Sequence, residues 1–413
     1  MLAIPTPGEK GSLNQPKRAK RALQGLRQTR TRKIVSSATW RLKRLQPLSR
    51  KTTTQKIFKM IDNTSRRDFL KKTGTALVVS SVFPNIWIKK GMAQTNVTTL
   101  GHNSHRYRVV EGWGVLDAGK NPVNDCHEMV EDAQGRLLLL TNETKNNVLI
   151  YDKSGKLLDA WGTSYPGAHG LTLSNEGGQQ FLFITDTDRN QVIKTDLKGR
   201  EIFKIDYPRQ NKSYNHPGEF KPTETTVNPN NGDIYVADGY GLNFITQYNS
   251  KGEYIRHFGG KGTANETFDC CHGVLFDNRN SKNPTLLITD RSHMSLKRFT
   301  LDGKYISTIP VPGSFICRPV LKGKNLYAAV YRSTSQEYPN SGYITIFDEK
   351  DRVISTPGGT EPKYVQNVLQ EQQKDRSFMG FMHPHDVCVD SDENIYVPQW
   401  ASKKTYPIKL ERV

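Results

Sequence analysis

The sequence of 413 residues has little cysteine and no apolar run near its N-terminus that is long enough for a membrane span. Its five cysteines are odd in number, so they do not predict a disulfide framework. The adjacent pair Cys270 and Cys271 leaves one strained disulfide open as an alternative. The apolar run at residues 76–83 is far shorter than the roughly 20 residues that a spanning helix needs. A disulfide-stapled fold and an N-terminal membrane helix are therefore not expected.

Acidic residues are scarce only in the first part of the chain. Residues 1–59 contain 16 Lys and Arg against one acid, and residues 60–94 contain 6 against 2. From totals of 59 and 40, this leaves 37 basic and 37 acidic residues in the remainder. The formal charge of +19 therefore comes from the N-terminal region. Since the rest is neutral overall, nucleic acid is not expected as a partner of the folded part.

The basic region has two predicted parts. Residues 65–72, SRRDFLKK, resemble a twin-arginine export motif, and the apolar run and a small-residue cleavage site ending at Ala93 follow. We therefore predict a signal peptide at 60–94, the twin-arginine machinery as the precursor's partner, and a periplasmic or extracellular mature protein. Residues 1–59 are expected to be a disordered basic leader or a gene start placed too early. The alternative is a basic arm that binds nucleic acid or anionic lipid.

Residues 95–413 contain a repeat of strands and turns. Apolar and β-branched runs such as FLFITD, DIYVAD and LLITD are each followed by a second strand that ends in a Lys-Gly or Asp-Gly turn. Repeat openings at positions 127, 169, 223, 272, 318 and 385 lie at intervals typical of propeller blades. We predict an all-β, six-bladed β-propeller, closed by an outer strand from residues 107–113. A small inserted helix is expected at 364–373.

Histidines open four of these repeats: His127, His169, His272 and His385. Repeats that close into a ring bring equivalent positions together at the axis, where imidazoles can bind a metal. Three neutral imidazoles leave an open position on a zinc-like ion, as a catalytic site requires. Each histidine alone is more typical of a structural residue that bonds to backbone near the channel. A polar channel without any metal therefore remains the alternative.

The pattern resembles the NHL-repeat β-propellers, and particular segments resemble peptidyl-α-hydroxyglycine α-amidating lyases. These segments are FKPTETTV followed by IYVADGY, HGLT at 169–172 and HPHDV at 383–387. The resemblance implies that His169, His272 and His385 hold a catalytic zinc. It also implies that Tyr240 and Arg291 act beside the metal, and that the substrate is a peptidyl-α-hydroxyglycine split into a peptide amide and glyoxylate.

One segment departs from that family. Where the family carries a second arginine, this sequence has LTNETK at 140–145, and Lys145 could supply charge but not a planar fork. His127 is an additional histidine and an additional candidate ligand. We predict that Lys145, Thr223, Arg318 and Arg332 line the substrate site. The expected cofactor is a divalent metal, zinc in the first place, with calcium as an alternative structural ion.

Three functional classes follow from the sequence. The favoured one is an exported metal-dependent lyase that acts on an α-hydroxy substrate, either a small molecule or one derived from a peptide. The second is a hydrolase or isomerase on a sugar- or lactone-like substrate, because propeller channels host many chemistries. The third is a binding scaffold without catalysis. A monomer is expected in each case.

Overall fold

The computed structural model describes residues 98–334 and 341–413. The predicted leader at 1–59 and the predicted signal peptide at 60–94 lie outside the described residues. The described part is the six-bladed, all-β propeller that the repeats predict. No helix in these two ranges is long and apolar enough to cross a membrane.

Blades 1 to 3 are antiparallel four-stranded sheets, each built from consecutive strands. Two strands precede them, β1 (Thr99–His102) and β2 (His105–Val110). Blade 1 contains β3 (Cys126–Glu131), β4 (Leu137–Thr141), β5 (Val148–Tyr151) and β6 (Leu157–Trp161). Blade 2 contains β7 (Ala168–Glu176), β8 (Gln179–Asp186), β9 (Gln191–Asp196) and β10 (Glu201–Ile205). Blade 3 contains β11 (Glu224–Val227), β12 (Ile234–Ala237), β13 (Phe244–Tyr248) and β14 (Tyr254–Gly259).

Blades 4 and 5 repeat this arrangement, and blade 6 combines strands from both ends of the chain. Blade 4 contains β15 (Val274–Asp277), β16 (Thr285–Asp290), β17 (Ser295–Phe299) and β18 (Tyr305–Pro310). Blade 5 contains β19 (Ser314–Lys322), β20 (Asn325–Ser333), β21 (Tyr343–Phe347) and β22 (Val353–Ser355). Blade 6 contains β25 (Cys388–Val389), β26 (Ile395–Val397) and β27 (Ile408–Arg412), followed outward by β2 and β1.

The N-terminal strands close the ring. β2 pairs antiparallel with β27, so that Val109 lies opposite Leu410, and β1 then adds a fifth strand outside it. The predicted outer strand is therefore confirmed, although it ends at Val110 and does not continue to position 113. Pairing removes the exposed edge that β27 would otherwise present.

Six separate apolar clusters hold the blades together, one between each pair of neighbours. The cluster between blades 1 and 2 includes Leu138 and Ile184, and the one between blades 6 and 1 includes Tyr396 and Tyr151. The strands are apolar on both faces because each blade packs against a neighbour on either side. This packing fixes the innermost strands around the axis, where the repeat openings meet.

The predicted helix at 364–373 is wrong. This segment forms a small hairpin of β23 (Tyr364–Val365) and β24 (Val368–Leu369). Its two turn residues, Gln366 and Asn367, both have positive φ, as the two-residue turn of a tight hairpin requires. Leu369 packs against the cluster between blades 4 and 5, and a single contact of this kind cannot support an amphipathic helix.

Candidate metal centre

Histidines from alternate blades point at the axis with their orientation fixed. His169, His272 and His385 belong to blades 2, 4 and 6. In each, Nδ1 donates a hydrogen bond to a backbone carbonyl of the next blade; the acceptors are Thr223 at 2.8 Å, Cys317 at 3.0 Å and His127 at 3.0 Å. A carbonyl can only accept, so Nδ1 carries the proton in all three rings. The unprotonated Nε2 atoms are therefore left as the metal-binding lone pairs.

The three rings form a nearly equilateral triangle. The centroid of the His169 ring lies 4.8 Å from that of His272 and 4.8 Å from that of His385, and the last two are 5.0 Å apart. Imidazoles that share a tetrahedral zinc ion bind it at about 2.0–2.1 Å from nitrogen, so their rings come this close. The arrangement fits a three-histidine site with an open position.

Glycines after two of the histidines allow the blades to approach. A Cβ atom on Gly170 would lie 2.6 Å from the Thr223 carbonyl oxygen, and one on Gly273 would lie 2.5 Å from the Cβ of Arg318. Both amides instead donate to threonine hydroxyls of the next strand, Thr185 and Thr289, at 2.6 Å. A larger residue at either position would push apart the blades that carry the Nδ1 acceptors.

Burial keeps these histidines neutral. It lowers the pKa of His169, His272 and His385 well below the usual value, and neighbouring positive groups lower it further. Burial also lowers the pKa of His127, to about 4, against a small opposing effect of Asp125. Neutral imidazoles are the form that binds metal, so the site is ready for a cation near neutral pH.

Two buried ring nitrogens lack a partner among the described residues: His385 Nε2 and His127 Nδ1. A buried nitrogen without a hydrogen bond is costly, and a cation at the centre would satisfy it. His127 lies 4.8 Å from His169 and 4.7 Å from His385 between ring centroids. Its nitrogens can therefore join those two histidines around one ion, although no carbonyl orients its ring as in the other three.

Tyr240 lies directly beside this centre. Its hydroxyl is 3.2 Å from His169 Nε2 and 3.0 Å from His272 Nε2, while the residue as a whole is 41% exposed. Burial of the hydroxyl raises its pKa to about 12, and Arg291 opposes this shift. With its pKa at this level the phenol is protonated near neutral pH. A cation bound to the histidines would lower the pKa of Tyr240.

Arg291 faces the same space. It begins the 3₁₀ turn Arg291–His293 after β16, and its Nη1 is 3.4 Å from the Tyr240 hydroxyl. Its guanidinium lies 5.3 Å from the Tyr240 ring centroid and 4.9 Å from that of Tyr331. Among residues 98–334 and 341–413, no carboxylate is at ion-pair distance from it. A guanidinium held by aromatic rings next to the candidate metal centre is suited to binding an anionic group of a ligand.

The register of blade 5 differs from the prediction by one residue. The carbonyls that accept from the three histidines belong to Thr223, Cys317 and His127, which are therefore equivalent positions. Cys317, and not Arg318, opens the fifth repeat. Its sulfur groups with His272 and His385 as a second candidate ligand set, and burial raises the pKa of its thiol to about 12. All five cysteines are free, including Cys270 and Cys271.

Arg318 lies one residue further along the innermost strands, away from Tyr240. Its guanidinium is buried and contacts three carboxylates from three other blades: Asp386 at 2.7 Å, Glu224 at 3.2 Å and Glu128 at 3.3 Å. It also donates to the carbonyls of Leu171 and Met129, each at 3.4 Å. We call Arg318, Asp386, Glu224 and Glu128 the axial charge cluster.

The axial charge cluster lies next to the four histidines along the innermost strands. Asp386 and Glu128 directly follow His385 and His127 in the chain, and each accepts a hydrogen bond from the backbone of the next blade. Burial raises the pKa of Glu128 well above its usual value, although Arg318 lowers it. The N–H donors of Arg318 bond to these carboxylates and backbone carbonyls. These contacts therefore give no support to the predicted role of Arg318 in binding substrate.

The remaining predicted residues lie around the centre. Thr223 is buried, and its hydroxyl hydrogen-bonds backbone carbonyls while its own carbonyl orients His169. Lys145 is exposed and donates to the Gly119 carbonyl at 2.7 Å. Arg332 is exposed next to Phe315 and Tyr331. Of these three, only Arg332 has a side chain that makes no hydrogen bond or ion pair with the described residues.

Sequence reasoning missed Tyr331 and the carboxylates of the axial charge cluster. A signal for the carboxylates was present, because Glu128, Glu224 and Asp386 each follow a repeat-opening residue. The second position of the repeat carries glycine in blades 2 and 4 and a charged residue in the others.

No protein-family model matches the sequence. The chain is similar to peptidylglycine alpha-amidating monooxygenase of Rattus norvegicus, with 25% identity over 268 residues, covering 61% of this chain and 24% of the rat protein. It is also similar to the Caenorhabditis elegans protein named "Probable peptidyl-alpha-hydroxyglycine alpha-amidating lyase", with 30% identity over 118 residues, covering 28% of this chain and 32% of that protein. The chain thus spans about a quarter to a third of these relatives. The resemblance to amidating enzymes is supported at low identity.

Among solved structures, the gluconolactonase XC5397 of Xanthomonas campestris has a TM-score of 0.52 at 11% identity, covering 77% of this chain and 95% of that one. At this identity the likeness concerns the fold alone. It confirms the propeller architecture.

Proposed function

We propose that this protein is a metal-dependent lyase that cleaves N-acyl-α-hydroxyglycine compounds, including peptides that end in α-hydroxyglycine. The observation that carries the proposal is the combination of three oriented imidazoles with Tyr240 and Arg291 against the same open space. The similarity to amidating enzymes supports it independently. Zinc is the proposed ion, because neutral imidazoles in a tetrahedral arrangement suit it.

The proposed reaction is an elimination that needs no oxidant or reductant. The substrate hydroxyl loses its proton, its oxygen forms a C=O bond, and the bond between the α-carbon and the amide nitrogen breaks. The electron pair of that bond leaves with nitrogen, which takes up a proton. The products are a primary amide and glyoxylate.

The chain's own residues can divide this work. A divalent ion on the histidines would supply Lewis acidity toward the substrate oxygens. Arg291 is placed to bind the carboxylate through its planar guanidinium. Tyr240, at hydrogen-bond distance from two ligand histidines, is placed to move the hydroxyl proton. Arg291 opposes the rise of the Tyr240 pKa, which helps the phenol to give up its own proton.

Glyoxylate release from N-benzoyl-α-hydroxyglycine tests this function. The metal-loaded full chain is expected to release one glyoxylate for each benzamide formed. Tyr240→Phe should lower kcat by about 10²- to 10⁴-fold, because a positioned proton-transfer group is lost. Its metal content should stay unchanged. Lys221→Gln is a matched control from the same blade, since its amine contacts the Thr187 carbonyl and not the histidines.

Two results would contradict the proposal. One is a metal-loaded protein that forms no glyoxylate; lactone hydrolysis by the same preparation would then favour the hydrolase alternative. The other is full activity in Tyr240→Phe. Retained binding without any turnover of either substrate would favour the scaffold.

We further propose that the precursor is exported through the twin-arginine machinery and acts as a periplasmic or extracellular monomer. The paired arginines Arg66 and Arg67 are the basis of this proposal. In a twin-arginine-competent bacterium, the double change Arg66→Lys and Arg67→Lys should leave the full chain in the cytoplasm, whereas Lys71→Arg should not. Equal export of both variants in cell fractionation would contradict it.

A further inference from the structure

We propose that Arg332 forms a second anion-binding subsite at the channel mouth, which selects α-hydroxyglycine substrates that carry a further carboxylate on their acyl part. The inference rests on the proposed function for the identity of the reacting group. It adds the chemical class of the remainder of the substrate, which Arg291 and the histidines do not determine.

A continuous row of aromatic and guanidinium groups connects this subsite with the metal centre. Arg291 lies between Tyr240 and Tyr331, and Tyr331 in turn lies 5.5 Å from the guanidinium of Arg332. Phe315 holds that guanidinium at 4.5 Å from its ring centroid. The two arginines therefore flank one tyrosine, one beside the histidines and the other further out.

Strand pairing places Arg332 at the same end of the channel as Tyr240. Arg332 lies near the end of β20, opposite Phe315 near the start of β19, two residues before Cys317. The innermost strand then passes the histidine layer at Cys317 and reaches the axial charge cluster at Arg318. A substrate bound at the histidines would leave the channel on the side where Arg332 lies.

The guanidinium of Arg332 is held in place by aromatic rings, and its charge is not neutralised by the described residues. Within residues 98–334 and 341–413, no carboxylate lies at ion-pair distance from its guanidinium. Stacking on Phe315 and Tyr331 limits its rotamers, so less entropy is lost when it binds a planar anion. On blade 1, Lys145 is exposed, donates to the Gly119 carbonyl and stacks on no aromatic ring of the described residues, so its ammonium is less firmly oriented than the guanidinium of Arg332. A second carboxylate of the substrate is therefore expected on blade 5 and not on blade 1.

Binding of two uncleavable probes tests the subsite. N-glutarylglycine and N-pentanoylglycine both carry the glycine carboxylate, and only the first has a second one. Calorimetry on the full chain should show about fivefold tighter binding of N-glutarylglycine, the size expected for one partly exposed charge pair. Arg332→Gln should abolish this preference, and Arg332→Lys should retain part of it.

The control is Arg352→Gln. Arg352 also stacks on a tyrosine, with its guanidinium 4.0 Å from the Tyr364 ring centroid. It differs in that it directly precedes β22, the outermost strand of blade 5. This variant should keep the preference. Equal binding of both probes by the unchanged protein, or an intact preference in Arg332→Gln, would overturn the proposal. If the preference depends on Arg332 and no glyoxylate is formed, the lyase assignment fails and the subsite stands.

Discussion

Alanine in place of His169, His272 or His385 is expected to remove the metal from the purified full chain. Each change deletes one of three oriented Nε2 ligands, and two imidazoles bind a divalent ion much more weakly than three. Metal content by elemental analysis should fall from about one ion per chain to near zero. Activity should fall on the order of 10³-fold, as when a principal electrostatic group is removed.

His127→Ala is the matched control for these variants. His127 is equally buried, and its ring lies as close to His169 as the ring of His272 does. It differs in that no backbone carbonyl among the described residues fixes its tautomer, and in that the family resemblance implies only the other three histidines as ligands, with His127 as an additional candidate. We therefore expect His127→Ala to retain the metal. If it loses the metal while His272→Ala keeps it, the ligand set is His127, His169 and His385.

Replacing Arg318, the positively charged residue of the axial charge cluster, should strongly destabilise the propeller. Arg318→Gln would leave Asp386, Glu224 and Glu128 buried without their shared partner. Breaking a buried ion pair from one side costs about 3–5 kcal/mol in the free energy of unfolding. Arg200→Gln, which removes a mostly exposed pair with Asp196, should cost less than about 1 kcal/mol. Denaturant unfolding of both variants measures the difference.

The destabilisation by Arg318→Gln should depend on pH. Burial already raises the pKa of Glu128, and loss of Arg318 removes the group that lowers it. When the pKa of a carboxyl is higher in the folded than in the unfolded state, the free energy of unfolding falls as pH rises between the two pKa values. The deficit should therefore be smaller near pH 5 than near pH 8. Adding Glu128→Gln should reduce the deficit, because an amide resembles the protonated acid. A deficit that is equal at both pH values would contradict this account of the cluster.

Local sequence patterns predicted the architecture because a propeller repeats one short unit. The Lys-Gly and Asp-Gly turns are a clear case, since Gly199, Gly252 and Gly303 all have positive φ at hairpin turns. The segment at 364–373 is the opposite case. Its polar and apolar residues fit a helix or a hairpin equally well, and the packing of Leu369 and the turn at Asn367 decided between them.

The one-residue error in blade 5 has a similar cause. Blades 2 and 4 have a histidine followed by glycine at the opening, which makes their register plain, whereas blade 5 offers Cys317, Arg318 and Pro319 with no such marker. The hydrogen bond from His272 to the Cys317 carbonyl decides the register. Such a bond joins residues 45 positions apart and leaves no local pattern in the sequence.

By itself, the sequence determined the number of blades, the closure by an N-terminal strand and the placement of histidines at repeat openings, because each follows from the period of the repeat. Tertiary structure alone decided which ring nitrogen faces the centre, that Arg318 belongs to a buried charge cluster, and that Arg332 beside Tyr331 forms no ion pair with the described residues. These properties depend on neighbours across the ring, such as Asp386 for Arg318, 68 residues away in the chain. The physical reason is that tautomer, ionisation and the availability of a charge are set by burial and by partners in space.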